Sequence, residues 1–120
     1  MRWISGLKAR YNGEAAERQA KQYLQNKQLR FREANYRCKM GEIDLIMMDS
    51  EQLVFVEVKS RENAQFGHAA EYFTQHKQQK LEKAINHYLL AHKLNPYNTD
   101  YRVDVVAITG EDIQWYQAVQ

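Results

Sequence analysis

The order of apolar patterns along these 120 residues predicts an α/β domain, with a central mixed sheet flanked by two helices in the order α-β-β-β-α-β(-β). Three observations carry that expectation. Residues 12–27 and 75–92 place apolar side chains at helical period, whereas 43–48, 53–59 and 102–108 are short apolar runs rich in Val and Ile. The composition, 44% hydrophobic and 27% charged with one Pro and five Gly, is that of an ordinary folded chain. Its length leaves room for one domain, taken as 1–120.

In the first helix Ala16, Ala20, Tyr23 and Leu24 recur at i, i+4, i+7 and i+8. Gly13 is expected to mark its start, with Glu14 as a first-turn anion facing the helix dipole. A first strand spans Leu29 to Cys38, and Met40-Gly41 breaks it. Ile43 to Met48 (IDLIMM) and Leu53 to Lys59 (LVFVEVK) are the strongest strand candidates, joined by the turn-forming residues 49–52. A four-residue hairpin loop there would pair residue i with residue 101−i, setting Met48 opposite Leu53 and Asp44 opposite Glu57. Arg61 to Gln75 is polar and aperiodic, and is expected to be a loop that is mobile without nucleic acid. The second helix carries Leu81, Ala84, Ile85, Tyr88 and Leu89 on one stripe and stops at Asn95-Pro96. The chain closes with strands at Arg102 to Ile108 and Ile113 to Tyr116.

Composition also restricts the chemistry. No apolar run approaches the ~20 residues that span a bilayer, and Met1 to Arg10 lacks the apolar centre of a signal peptide, so a cytoplasmic protein without membrane partners is expected. Cys38 is the one cysteine, with no CxxC or Cys/His neighbourhood, which disfavours a disulfide framework or structural zinc. The four His, at 68, 76, 87 and 92, show no metal-hydrolase spacing. The net charge of +2 conceals an asymmetry: residues 1–39 hold ten Lys/Arg against three Glu, and residues 40–72 hold two against seven acidic groups. A basic segment attracts phosphate backbones, and clustered carboxylates tolerate them when a cation intervenes.

The carboxylates stand in unusual places. Glu57 and Lys59 lie two residues apart on one face of a strand otherwise apolar on both faces, and Asp44 is embedded in an apolar run. Burying such groups is costly unless they pair or bind metal. Opposed on a hairpin, Asp44 and Glu57 would have Cβ atoms roughly 5 Å apart. Two carboxylates on a rigid hairpin suit a hard cation such as Mg²⁺, and an adjacent Lys suits charge stabilisation at a phosphate under attack by water. An internal ion pair of Lys59 with Asp44 or Glu57 accounts equally for the pattern. Asp104, in a Val-rich strand, reads as a structural buried charge paired with Arg37 or Arg102.

Asp44 followed by Glu57-Val58-Lys59 resembles the metal-binding motif of the PD-(D/E)XK nucleases, with Ile43 where the usual Pro precedes the Asp. Taken with Gly13, Glu17 and Ala20, the words GEIDLI (41–46) and VFVEVK (54–59), Arg61, Lys77 and RVDVV (102–106), the chain resembles the small bacterial YraN family over residues ~12–108. That family is similar to archaeal Holliday-junction resolvases. The resemblance implies a restriction-endonuclease-like core and a nuclease of DNA repair or recombination, acting on DNA, with branched DNA as a further step of the analogy. It implies Asp44 and Glu57 as ligands of Mg²⁺ (or Mn²⁺), Lys59 as the catalytic lysine, and the Val58 carbonyl as an additional ligand. Glu17 would complete the site from the first helix. Periodicity favours it over Glu14, because at about 100° per residue it borders the Ala20/Leu24 stripe. Lys77, near the start of the second helix, would face the site. Glu42 would point to the opposite sheet face.

Tyr11, Tyr23, Tyr36, Phe31 and Trp3 interleave with the basic amino-terminal residues, as stacking on nucleic acid would require. Their other reading is core and ordinary surface. By analogy with resolvases that cut two strands, a homodimer is one assembly open to the chain, although no self-complementary surface is legible and the oligomeric state is not set by the sequence. Two alternatives to the enzyme stay open: a catalytically inactive nuclease-fold module binding nucleic acid or protein, favoured by the low net charge, and a structural domain whose carboxylates form ion pairs.

Overall fold

Why the apolar runs sit where they do is answered by the sheet they build. The computed structural model describes residues 2–63, 69 and 74–119, with side chains from Gly13 onward. Its elements are α1 (Arg2–Asn26), β1 (Arg30–Cys38), β2 (Gly41–Asp49), β3 (Gln52–Arg61), α2 (Gln75–Ala91), β4 (Tyr101–Thr109) and β5 (Asp112–Tyr116). This is the expected α-β-β-β-α-β-β order. The strands lie side by side in chain order; β3 and β4 run parallel and the other neighbours antiparallel. A parallel join requires a crossover, and α2 lies on it.

Because β3 is central, both of its faces are covered, which explains its unbroken Val/Phe run. On one face Val54 and Val56 pack with Leu45, Met47 and Val106 under Ala16, Ala20 and Leu24 of α1. On the other, Leu53 and Phe55 pack with Ile43 and Ile46 under Leu81, Ile85, Tyr88 and Leu89 of α2. Fully burying each large apolar side chain contributes about 1.5–3 kcal/mol, so the two helix stripes hold the three layers together.

The β2–β3 register is the one expected, with Met48 opposite Leu53 and Leu45 opposite Val56. The loop is tighter than expected. Asp49 pairs with Gln52, which leaves a two-residue turn whose Ser50 sits at φ 54°. Positive φ in a two-residue turn matches the strand twist, so the ladder extends one pair further. The start of α1 also differs: the helix begins at Arg2 and passes through Gly13. Gly13 therefore does not start it, and Glu14 is an exposed mid-helix residue instead of a first-turn anion. A single Gly costs a helix only about 1 kcal/mol relative to Ala, too little to end one.

Helix α2 starts where expected, capped by Thr74, whose Oγ1 accepts from the Lys77 N–H at 3.4 Å. Gly41, at the start of β2, lies against α2: a Cβ there would meet the Lys80 carbonyl oxygen at 3.0 Å. The absent side chain lets the β1–β2 turn approach the helix backbone. The expectation of a mobile 61–75 loop falls largely outside the described residues; Ala69 is buried and its N–H donates to Thr109 Oγ1 at 3.0 Å.

Asp104 is structural, as expected, and its partner is Arg102. The carboxylate is fully buried, accepting from Arg102 Nε, Trp115 Nε1 and the Ala118 N–H. Arg102 Nη1 reaches Asp49 at 2.8 Å and Gln52 at 2.7 Å, tying the β2–β3 turn to β4. Burial works against the Arg102 charge, and the bonds to Asp104 and Asp49 outweigh it, raising its pKa. Arg37, the other proposed partner, pairs with Glu42 at 3.2 Å. No helix among the described residues is long and apolar enough to cross a membrane.

Candidate functional site

The sheet opens where the β2–β3 ladder ends. The last paired residues in that direction are Leu45 and Val56, and the next two side chains are Asp44 and Glu57. They do not continue the ladder as a flat cross-strand pair. Asp44 turns its carboxylate across the gap, and Oδ2 accepts the Val58 N–H at 2.8 Å. A strand residue presents N–H and C=O to the same edge, so the Val58 carbonyl shares this opening.

The alternation of β2 breaks at the same point. Ile43 and Ile46 belong to the α2 face while Leu45 and Met47 belong to the α1 face, so side-chain direction reverses between Ile43 and Leu45. Across from Asp44, between the pairs Ala34–Leu45 and Tyr36–Ile43, stands Asn35 at φ 55°. Left-handed backbone within a strand is a strained conformation for which Asn is among the few tolerant side chains. Asn35 hydrogen-bonds Glu17 of α1. The double irregularity thus brings a helix carboxylate and a strand carboxylate into one cavity.

That cavity, about 410 Å³, is lined by Glu17, Asp44, Glu57, Val58 and Lys59, with Glu42 at its wall. Asp44 is 8% exposed, and burial followed by the negative charge of Glu57 pushes its pKa up to about 8 despite the Val58 hydrogen bond. Burial also raises the pKa of Glu17, opposed by its Asn35 bond and reinforced by repulsion from Glu42 and Glu57. Lys59 Nζ bonds Glu57 Oε1 at 3.0 Å, so the ion pair anticipated as an alternative is present. It leaves Asp44 without a cation partner among the described residues. Lys77 does reach the site's edge: its pKa is lowered chiefly by the charge of Lys59.

The arrangement therefore gathers Glu17, Asp44, Glu57, Val58, Lys59 and, at the rim, Lys77. It does not gather Tyr23, Tyr36 or Phe31. Tyr23 packs edge-on against Trp115, Tyr36 hydrogen-bonds His87 and packs on Tyr88, and Phe31 lies under Lys21 Nζ at 3.8 Å from the ring centre. Trp3 and Tyr11 fall outside the described side chains. Sequence reasoning missed Asn35. The available signal was an Asn inside a strand pattern, where that residue is depleted. Glu42 was expected on the far sheet face, and it instead lines the cavity while pairing with Arg37, because the reversal at Asp44 turns its neighbours too.

A hard divalent cation takes one or two carboxylates with waters and substrate oxygens filling the rest. The donor set fits: the carboxylates of Glu17, Asp44 and Glu57 share one cavity with a strand carbonyl, and burial, followed by the negative charge of Glu57, raises the Asp44 pKa. Among the described residues no three His, Cys, Asp or Glu side chains converge closely enough to form a complete cage by themselves. Mg²⁺ does not require one.

Two outcomes follow from this geometry. The folded-state pKa of Asp44 lies above its ordinary value, so its contribution to stability is greatest at low pH and is lost as pH rises toward about 8. Metal-free protein should become less stable between pH 5.5 and 8.5, by up to about 1.4 kcal/mol per pH unit, and Asp44→Asn should flatten the trend. Urea midpoints in a chelating buffer check this; a midpoint rising with pH overturns it. Asn35→Ala should cost about 1–2 kcal/mol, since Ala pays for the left-handed backbone, while Asn35→Gly should lose only the Glu17 bond, about 1 kcal/mol or less. Equal losses in chemical denaturation would show that the backbone at 35 stores no strain.

Comparison with known proteins agrees with the motifs. The profile of the uncharacterised protein family UPF0102 matches residues 16–108. A UPF0102 protein of Vibrio campbellii is 51% identical over 107 residues, covering 88% of each chain. One from Photobacterium profundum is 46% identical over 112 residues, 92% of this chain and 90% of its own. Another from Klebsiella pneumoniae is 46% identical over 111 residues, 92% and 87% of the two chains. The matched span runs from α1 to β4 and includes Glu17, Asn35, Asp44, Glu57, Lys59 and Lys77, so the chain belongs to UPF0102, the YraN family whose motifs it carries.

Proposed function

We propose that this protein is a Mg²⁺- or Mn²⁺-dependent nuclease that hydrolyses phosphodiester bonds in DNA. The observation that carries the reading is the open end of the β2–β3 ladder, where Asp44, Glu57, the Val58 edge and Glu17 share one cavity with Lys59. A structural ion pair needs Glu57 and Lys59 alone. A buried Asp44 crowded by further carboxylates is costly without a cation and useful with one.

Asp44 and Glu57, with the Val58 carbonyl and Glu17 beside them, would hold the cation, which when bound supplies Lewis acidity toward a phosphate oxygen and a more acidic water. The chain's own groups do the rest. Lys59 offers an ammonium at the cavity wall that can donate to a non-bridging phosphate oxygen or to the attacking water. Asp44 is oriented by the Val58 N–H, and Glu17 by Asn35. Water attacks phosphorus in line, one P–O bond to sugar breaks, and the departing oxygen takes up a proton as the water gives one up. The choice of DNA, and of branched DNA in particular, rests on the likeness to resolvase-type nucleases, and so does a dimer acting on two strands.

The test is incubation of purified protein with Mg²⁺ or Mn²⁺ and linear, flapped, single-stranded and four-way-junction DNA. Metal-dependent cleavage of at least one substrate is expected, together with a rise in melting temperature on adding Mn²⁺. Binding without cleavage on every substrate would favour the catalytically inactive module, and a melting temperature indifferent to Mn²⁺ would remove the metal site.

A further inference from the structure

A second cavity, about 430 Å³, lies on the other side of the Glu57–Lys59 pair, between the β1–β2 turn and α2. The two cavities share Glu42, Glu57 and Lys59 as a common wall and differ in sign. The first is lined by five carboxylates against two cations, Lys59 and Arg61. The second is lined by four cations, Arg37, Lys59, Lys77 and Lys80, against two carboxylates, Glu42 and Glu57. Both of those carboxylates are already engaged, Glu42 by Arg37 at 3.2 Å and Glu57 by Lys59 at 3.0 Å. Lys77 and Lys80 make no ion pair among the described residues, so two positive charges are left at the second cavity.

Three elements hold these charges together. Arg37 comes from β1, Lys59 from β3, and Lys77 and Lys80 from the first two turns of α2. The close approach of Gly41 to the Lys80 carbonyl keeps the turn and helix together around the cavity. Crowding is felt at Lys77, where the neighbouring positive charges of Lys59 and Arg61 disfavour its charged form. Anions relieve such crowding, and a polyanion that also placed one phosphate at the carboxylate cavity would span both.

We propose that the cavity walled by Arg37, Lys77 and Lys80 is a phosphate subsite, holding a backbone phosphate that neighbours the one presented to Asp44 and Glu57. The subsite builds on the nuclease reading and extends it: a nucleic-acid strand crosses the Glu57–Lys59 wall, with the cation on one side and a phosphate clamp on the other. Binding at this clamp does not depend on metal or on cleavage.

The experiment is equilibrium binding of a fluorescein-labelled duplex oligonucleotide in chelating buffer across a salt series, where no cleavage intervenes. The double variant Lys77→Gln/Lys80→Gln should bind at least about tenfold more weakly at low salt, and the slope of log affinity against log salt should fall by about 1 to 2, one step of about 0.9 per lost phosphate contact. Both lysines are exposed, so the fold should be retained, checked by an unchanged melting temperature. Lys83→Gln/Lys93→Gln, which removes two charges elsewhere on α2 and just beyond it, should change affinity less than twofold. Equal losses in the two double variants would mean a diffuse basic surface and overturn the subsite. Unchanged binding by Lys77→Gln/Lys80→Gln would overturn it as well, while leaving the nuclease reading to its cleavage assay. No binding by the wild type would remove the nucleic-acid reading itself.

Discussion

Glu57→Gln should slow metal-dependent DNA cleavage by about 10³-fold with the fold intact, and Lys59→Ala by about 10²–10³-fold. The two act differently. In the nuclease reading proposed above Glu57 holds the cation, so its neutral amide should also weaken the Mn²⁺-induced rise in melting temperature. In the same reading Lys59 offers charge to the phosphate, so Lys59→Ala should leave that rise in place while the rate falls. Both side chains are mostly buried, 14% and 17% exposed, and breaking their pair leaves one charge partly desolvated. Circular dichroism and melting curves therefore accompany the rates. Cleavage that persists in both variants would identify a contaminating nuclease and sink the assignment of these residues.

Arg102→Met should destabilise the protein by about 3–5 kcal/mol, because it strands Asp104 as a fully buried charge. Trp115 Nε1 and the Ala118 N–H would still donate to that carboxylate, and no cation would remain against it. The variant also releases Asp49 and Gln52, so the β2–β3 turn loses its anchor to β4. The double variant Arg102→Met/Asp104→Asn should recover a large part of the loss, since the buried charge is then gone while an acceptor stays. Urea unfolding of the three proteins measures this; a loss below about 1 kcal/mol in the single variant would mean that Asp104 is satisfied by its neutral donors alone. A damaged core of this kind lies away from the carboxylate cavity, so residual folded protein should still bind Mn²⁺.

Much of the architecture was legible because the signals were local. The β2–β3 register follows from two apolar runs and a short polar turn, and it was recovered residue for residue from Met48–Leu53 to Leu45–Val56. The stripe of α2 and its start at Gln75 were equally readable. Gly13 misled, because a residue that weakens a helix by about 1 kcal/mol is outweighed by the helix on either side. At the site, Asp44, Glu57 and Lys59 were conspicuous as charges inside apolar strands. Asn35 was marked only by being an Asn within a strand pattern, and its importance lies in a backbone angle that this pattern does not specify.

The order of elements along the chain, the helix stripes and the standing of Asp44, Glu57 and Lys59 as charges within apolar strands were determined by the sequence alone, since periodicity and misplaced charge are properties of neighbours along the chain. Tertiary structure decided how those charges meet. The ladder stops at Leu45–Val56, Asn35 and Asp44 break alternation together, and the Asp44 carboxylate closes onto the Val58 N–H beside Glu17. The opposite signs of the two cavities flanking Glu57–Lys59 were decided there too. The physical reason is range: burial and hydrogen bonding select residues along a strand, while the electrostatic field of a site depends on which distant elements the packed core forces into contact.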